Sequence, residues 1–168
     1  MYTLTNYATM IRDAVRIAAY QQALQRVIKP TSFVIDLGAG TGVMSFLAAQ
    51  LGAHHVYAIE TNPCIRLGRL IADANGLGNK ISFLEGSFEK AQLQQKADIL
   101  VADIRGQLPL FHDSLVVMKK AREQLLKPDG VLMPQRDLLL GALITAEEYY
   151  AQMILDPWAI NTLNVNMK

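Results

Sequence analysis

The sequence predicts an α/β fold in which helices cover both faces of a doubly wound, mostly parallel sheet. Short apolar segments of strand type alternate along the chain with helical segments of about 10–15 residues. A glycine-rich turn, "LGAGTG", lies between the first of these strands and the helix that follows it. Alternating strands and helices form βαβ units, and the strands of such units lie parallel in one sheet.

The length and composition are those of one globular domain. The chain has 168 residues, enough for a single sizeable core, and 51% of them are hydrophobic while only 18% are charged. Sixteen basic and fifteen acidic residues leave a net charge of +1, so neither nucleic acid nor a membrane is an expected partner. The sequence shows no signal-peptide pattern and no apolar run of the ~18–20 residues that a membrane span needs. We therefore expect a soluble, cytoplasmic protein.

The first element is predicted to be a helix over residues 8–28. Apolar residues recur there at helical spacing and form one stripe, and Lys29-Pro30 ends the segment. The stripe consists of Met10, Ala14, Ile17, Leu24 and Ile28.

Strands and helices then alternate. The predicted strands are "SFVIDLG", "HHVYAIE", "KISFLEG", "ADILVADI" and "VLMP", in chain order. The helices between them include "VMSFLAAQLG", which Gly52 ends, and "CIRLGRLIADANG", which begins after Asn62-Pro63. A last helix covers about 111–126 and ends at the turn "KPDG". The apolar stretch "DLLLGALIT" is a candidate for one further strand.

The glycine-rich turn is a candidate ligand site, because ligands of open α/β sheets bind beyond the carboxyl ends of the strands. Gly38 and Gly40 permit a tight turn and a close approach of a ligand to the backbone. Gly42 lets the following helix pack closely on the strand. The alternative is a tight turn that binds nothing.

Two acids beside this turn indicate which ligand it binds. Glu60 ends the second strand, and an acid there accepts hydrogen bonds from ribose hydroxyls; the alternative is a solvated charge at a strand end. Asp36 lies two residues before Gly38, where a carboxylate disfavours a pyrophosphate and suits a cationic or zwitterionic ligand. S-adenosylmethionine carries a sulfonium, an ammonium and a ribose, and no phosphate. The sequence therefore favours S-adenosylmethionine over a nicotinamide dinucleotide.

The stretch "VIDLGAGTGVMSFLAAQLGAHHVYAIE" resembles the cofactor-binding half of class I S-adenosylmethionine-dependent methyltransferases, and is most similar to the protein arginine methyltransferase family. The likeness covers about residues 10–144, including "NGLGNKISFLEGSFE" and "LLKPDGVLMPQRDLLLGALI". "MIRDAVR" is similar to the helix of that family that folds over the cofactor. The resemblance implies a Rossmann-like methyltransferase fold with a cofactor lid over 1–30, a cofactor-binding core over 31–146 and a tail over 147–168.

The resemblance also implies roles for individual residues. Arg16 pairs with the cofactor carboxylate, Glu60 holds the ribose hydroxyls, and Phe88 and Glu89 flank the adenine. For Arg16 the alternative is a solvated helix face, and for Phe88 an ordinary core aromatic. The full set of implied cofactor-binding residues is Arg16, Asp36, Gly38, Ala39, Gly40, Thr41, Glu60, Thr61, Phe88 and Glu89.

The loop after the fourth strand, "VADIRGQLPLFHDSL", departs from the family pattern. Arginine methyltransferases carry two glutamates there, which clamp the substrate guanidinium. In this chain Asp103 and His112 occupy those positions, with Gly106 between them, and Arg105 adds a cation that opposes a guanidinium substrate. Asp103 and His112 are the candidate catalytic residues, since both residue types serve as bases. The alternative for His112 is a residue at a helix start that faces water.

The expected function is methyl transfer from S-adenosylmethionine to a protein side chain or a small molecule, with S-adenosylhomocysteine as product. One alternative is an idle cofactor-binding module or partner subunit, supported by the altered acid pair, and another is an NAD-dependent oxidoreductase. The family's β-barrel domain is missing, so we expect either a fragment or a core without the barrel. The oligomeric state is open.

Neither a metal site nor a reactive thiol is expected from the remaining histidine and cysteine residues. His54-His55 lack a third metal ligand at useful spacing, so we expect no metal site. Cys64 excludes an internal disulfide because it is the single cysteine, and it lies at a helix start where the pKa of a thiol falls. We interpret Cys64 as a packed small residue.

Overall fold

Five strands form the sheet in a computed structural model of the chain, which describes residues 3–105 and 113–155. The strands are β1 (Phe33–Leu37), β2 (His55–Glu60), β3 (Ile81–Glu85), β4 (Ala97–Ala102) and β5 (Leu126–Met133). All four pairings are parallel, and the order across the sheet is β3-β2-β1-β4-β5. The strand order reverses beside β1, and the predicted doubly wound α/β fold is confirmed.

Helices pack on both faces of the sheet. They are α2 (Ala14–Val27), α3 (Val43–Gln50), α4 (Ile65–Ala74) and α5 (Ser114–Leu125). A further helix, α1 (Leu4–Arg12), precedes α2. Alternate residues of β1 serve the two faces: Val34 belongs to the core with α2, α3 and α4, whereas Ile35 belongs to the core with α5. None of the helices in the described ranges has both the length and the apolar character that a membrane span requires.

The N-terminal helix predicted over 8–28 is two helices, which meet at Asp13. The Asp13 carboxylate accepts the backbone N–H of Arg16 at 3.0 Å and so caps α2, while its own N–H donates to the Met10 carbonyl at 3.3 Å. Aspartate is a favoured N-cap because it satisfies free N–H groups of the first turn. The apolar stripe continues through this position, which is why the break was not predicted.

The predicted turn "KPDG" lies inside β5 rather than before it. Ala97 of β4 pairs with Leu126, and Ile99 pairs with Val131, so β5 advances by five residues while β4 advances by two. The additional residues form a bulge in β5. The strand therefore begins directly at the end of α5, with "KPDG" as its irregular part.

The chain divides into two compact units, Met1–Asp137 and Leu138–Lys168, and the sheet belongs to the first. The stretch "DLLLGALIT", which begins at the last residue of the first unit, forms no strand; Leu138, Leu140 and Leu143 are exposed, and no strand of the described residues pairs with it. A short helix, α6 (Glu147–Tyr150), is followed by a wider helical turn, Ala151–Leu155. The boundaries predicted at residues 30 and 146 stay predictions.

Candidate functional site

A cavity of about 1060 Å³ lies at the carboxyl ends of the strands, within the first unit. Eleven of the twelve predicted site residues line it: Arg16, Asp36, Gly38, Ala39, Gly40, Thr41, Glu60, Thr61, Phe88, Glu89 and Asp103. The twelfth, His112, lies outside the described residues, as does Gly106. The fold thus brings together residues from five separate segments of the chain, while their individual roles stay predictions.

The glycine turn forms one wall of this cavity. Gly38 and Gly40 have φ angles of 72° and 57°, which favour glycine because other side chains rarely adopt them. A Cβ atom on Gly40 would lie 2.5 Å from Cε1 of Tyr7 in α1, and one on Gly38 would collide with the Ile104 side chain after β4. The close approach to this backbone is therefore made in part by the protein itself.

Asp36 borders the cavity, but its carboxylate is directed to the start of α3. The side chain is 2% exposed, and Oδ2 accepts the backbone N–H of Ser45 at 2.9 Å and its hydroxyl at 2.7 Å. The N-cap of α3 is Gly42, which has no side chain, so Asp36 caps the helix from the neighbouring strand. Burial raises the pKa of Asp36 to about 7, against the lowering effect of the Ser45 bonds. Its negative charge at the turn is thus weaker than the sequence-based interpretation assumed.

Glu60 joins the ends of β1 and β2. Its Oε2 accepts the N–H of Gly40 at 2.9 Å, and its Oε1 accepts the N–H of Asn62 at 2.7 Å and the hydroxyl of Thr61 at 3.2 Å. The alternative of a merely solvated charge is therefore wrong. A carboxylate accepts about four hydrogen bonds, so these three leave capacity for a ligand hydroxyl. The ribose role of Glu60 stays a prediction.

Asp103 lies directly after β4 and is held by two residues of α2. Arg16 Nη2 forms an ion pair with Asp103 Oδ2, and the Tyr20 hydroxyl donates a hydrogen bond to the same carboxylate. Burial raises the pKa of Tyr20 above its ordinary value, and the charge of Asp103 raises it further, so the phenol stays protonated at neutral pH. The alternative of a solvated Arg16 is wrong. Sequence reasoning missed Tyr20, although it lies four residues after Arg16 on the same helix face.

The far end of the cavity is lined by Phe88 and Glu89, in the turn after β3. Phe88 is 7% exposed and packs in the core with α5 while also bordering the cavity, so both interpretations of this residue apply. Glu89 Oε1 accepts a hydrogen bond from Lys120 Nζ of α5 at 3.3 Å. Lys120 was not predicted, because no local signal connects it to a residue 31 positions away.

Arg105 does not border the cavity, contrary to the expectation that its charge opposes a cationic substrate. Its Nη1 forms an ion pair with Asp137, and its Nη2 donates to the Pro134 carbonyl at 3.0 Å. The positive charge of Arg105 is therefore neutralised by Asp137. Both partners lie just after β5.

The two histidines of the pair each contact a neighbouring side chain. His55 Nε2 lies 2.9 Å from Ser82 Oγ, and burial lowers the pKa of His55. His54 packs its ring against Phe33. No group of three potential ligands suited to a metal occurs in the described ranges. The pKa of a thiol can fall at a helix start, but burial raises the pKa of Cys64.

The sheet order, the glycine turn after β1 and the acid at the end of β2 are typical of a Rossmann-like fold, and the family match places the chain in the class of S-adenosylmethionine-dependent methyltransferases. More particularly, the chain belongs to the family of the ribosomal protein L11 methyltransferase (PrmA), whose model matches residues 19–135. The methyltransferase class predicted from the sequence is confirmed.

Three relatives of this chain are protein arginine methyltransferases by name. The chain is 33% identical over 164 residues to the probable protein arginine N-methyltransferase 6.1 of Oryza sativa subsp. indica, covering 96% of this chain and 42% of that protein. The structure of Arabidopsis thaliana protein arginine methyltransferase 10 matches with a TM-score of 0.74 and 31% identity, over 79% of this chain and 38% of that one. A Trypanosoma brucei PRMT1 enzyme–prozyme complex with AdoHcy matches with a TM-score of 0.78 and 26% identity, over 96% and 51%. The predicted resemblance to protein arginine methyltransferases is confirmed. The chain spans less than half of the length of the Oryza sativa relative.

Proposed function

We propose that this chain binds S-adenosylmethionine in the cavity and transfers its methyl group to an acceptor held beside Asp103. One observation carries the proposal: residues predicted separately as cofactor-binding and catalytic converge on one cavity at the carboxyl ends of the strands. Its volume, about 1060 Å³, suits a ligand of nucleoside-amino-acid size. The structural relative that was solved in complex with AdoHcy supports the same choice of ligand.

Arg16 and Glu60 are the residues we assign to cofactor binding. Arg16 offers a planar guanidinium to a carboxylate, and in this structure Asp103 takes that place. A cofactor carboxylate would therefore compete with Asp103 for Arg16. Three hydrogen bonds fix the orientation of Glu60, and its remaining acceptor position is available to a ribose hydroxyl.

Asp103 is the residue we assign to the acceptor. When bound, S-adenosylmethionine supplies a methyl group already activated by the sulfonium, so the protein contributes mainly alignment and a proton acceptor. The Asp103 carboxylate is held in place by Arg16 and Tyr20 and can orient an acceptor N–H or O–H and take its proton.

We place a protein side chain first as acceptor, because the curated relatives are named protein arginine N-methyltransferases and the matched family is named for a ribosomal protein. A small molecule is the alternative acceptor. A second function is favoured by one observation: Asp103 already has two partners within the protein, which suits a cofactor-binding module without activity.

Label transfer tests the proposal. The protein is incubated with S-adenosylmethionine carrying a radioactive methyl group and with a proteome extract, and the labelled bands and small molecules are separated. We expect the wild-type protein to label a protein band, and we expect the Asp103→Asn variant not to label it. The matched control is Asp129→Asn, an exposed aspartate of β5, which should leave the labelling unchanged. Cofactor binding without label in any acceptor would establish the inactive module instead.

A further inference from the structure

Arg105 has the least exposed cationic side chain among the ion pairs of the described residues. Its side chain is 13% exposed, whereas those of Arg16, Lys127, Lys120 and Arg66 range from 32% to 74%. Burying a charge is unfavourable unless it is paired and hydrogen-bonded. An arginine that only adds charge to the surface would stay exposed to solvent. The burial and pairing of Arg105 therefore point to a specific role.

The Arg105 guanidinium connects two loops at the same edge of the sheet. Its two terminal nitrogens bind the Asp137 carboxylate and the Pro134 carbonyl, at 3.0 Å for the latter. Both acceptors follow β5, whereas Arg105 follows β4. The planar fork of arginine can hold two acceptors at fixed directions, which the single ammonium of lysine does less well. The Arg105 Nε is buried without a hydrogen-bond partner in the described part of the chain, so the terminal nitrogens alone hold the side chain.

This connection lies two residues from Asp103. Between them, Ile104 packs against Gly38 of the glycine turn and against the core with α5. The segment is therefore held at three successive residues, by α2 at Asp103, by the glycine turn at Ile104 and by the segment after β5 at Arg105.

We propose that Arg105 is a positioning residue for methyl transfer, which fixes residues 103–105 after β4 so that Asp103 stays directed at the acceptor. The proposal rests on the proposed function. Arg105 does not line the cavity, and the residues assigned to the cofactor belong to other segments. Releasing Arg105 should therefore impair methyl transfer and leave the affinity for S-adenosylhomocysteine almost unchanged.

The test compares Arg105→Met, Arg105→Lys, Asp137→Asn and the double variant Arg105→Met/Asp137→Asn. The matched controls are Arg136→Met and Asp129→Asn, which remove the same charges at exposed positions. Each variant is measured by calorimetric titration with S-adenosylhomocysteine and by the rate of label transfer at saturating S-adenosylmethionine.

We expect Arg105→Met and Asp137→Asn to lower the transfer rate by roughly 10- to 100-fold, because small misplacement of a reacting group has effects of this size. The dissociation constant of S-adenosylhomocysteine should change by less than about threefold. The double variant should be no slower than either single variant, since each single substitution already removes the same Arg105–Asp137 ion pair. Arg105→Lys should recover part of the rate. If Arg105→Met does not fold, Asp137→Asn and Arg105→Lys carry the test.

The outcomes separate the two proposals. If the wild-type protein transfers label and Arg105→Met transfers it equally fast, the positioning role is wrong and the proposed function stands. If affinity and rate fall together in the Arg105 variants, Arg105 only maintains the fold. If the wild-type protein binds S-adenosylhomocysteine but transfers no label, the proposed function is wrong, and the positioning role is overturned with it.

Discussion

Arg16 of α2 and Asp103 after β4 form an ion pair across the cavity, and Tyr20 donates a hydrogen bond to the same carboxylate. The pair links a residue assigned to the cofactor with a residue assigned to the acceptor. A ligand carboxylate that takes Arg16 would leave Asp103 bound to Tyr20 and open to an acceptor. We therefore expect binding of the cofactor carboxylate and binding of the acceptor to be coupled through the Arg16 guanidinium.

Replacing Arg16 by methionine should weaken binding of S-adenosylhomocysteine by roughly 10- to 100-fold, because a hydrogen bond to a charged group contributes about 1.5–3 kcal/mol. Calorimetric titration measures the effect. Arg26→Met, an exposed arginine of the same helix, is the control and should bind as the wild type does. Equal affinities of the Arg16 and Arg26 variants would remove Arg16 from the cofactor site.

Replacing Asp103 by asparagine should separate binding from transfer. The affinity for S-adenosylhomocysteine should be kept or rise, since Arg16 loses its competing carboxylate. The rate of label transfer should fall by about 100-fold or more, because an amide accepts no proton. A variant that retains the wild-type rate would show that Asp103 has no part in the chemistry.

Replacing Glu60 by glutamine should lower the affinity for S-adenosylhomocysteine by about tenfold or more, because the amide cannot accept on both sides. Glu85→Gln is a close control, since Glu85 ends β3 beside Glu60 in the sheet register and pairs with Arg66 at the surface. Calorimetric titration of both variants with S-adenosylhomocysteine measures the two affinities. Unchanged binding in Glu60→Gln would mean that this carboxylate only fixes the glycine turn.

Asp36 should make stability depend on pH. Its pKa is raised to about 7 in the folded protein and lies near 4 when the chain is unfolded, so between these values the folded state holds the additional proton. The contribution is complete below pH 4 and is lost as the pH rises to 7. Asp36→Asn removes this titration and keeps a side-chain oxygen for Ser45. Relative to the wild type, the variant should gain a few kcal/mol between pH 4.5 and 8, measured by urea unfolding. A difference in stability that is constant with pH contradicts the raised pKa.

The fold was predictable because its signals are local. The strands of a parallel sheet covered on both faces are continuous apolar runs, such as the one that ends at Asp36. Local residues also mark helix ends, such as Gly52 after α3 and Asn62-Pro63 before α4. The break at Asp13 was missed because the apolar stripe continues across it. The bulge in β5 was missed because "KPDG" is also a common turn sequence.

The interior of the site was predictable only in part. The glycine turn and Glu60 lie close in sequence, whereas Arg16 and Asp103 are 87 positions apart, and no local pattern shows that they meet. The direction of the Asp36 carboxylate depends on Ser45 of α3, a residue whose hydroxyl has many uses in a helix. The pairing of Arg105 with Asp137 likewise depends on the neighbouring positions of β4 and β5 in the sheet.

The most direct test of the account is a pair of calorimetric titrations of the wild-type protein, one with S-adenosylhomocysteine and one with NAD. The cavity residues predict one S-adenosylhomocysteine bound per chain, with Arg16→Met weakening it, and no heat of binding with NAD. The central claim would be contradicted if the protein bound NAD in preference to S-adenosylhomocysteine. It would also be contradicted if Arg16→Met left the affinity for S-adenosylhomocysteine unchanged.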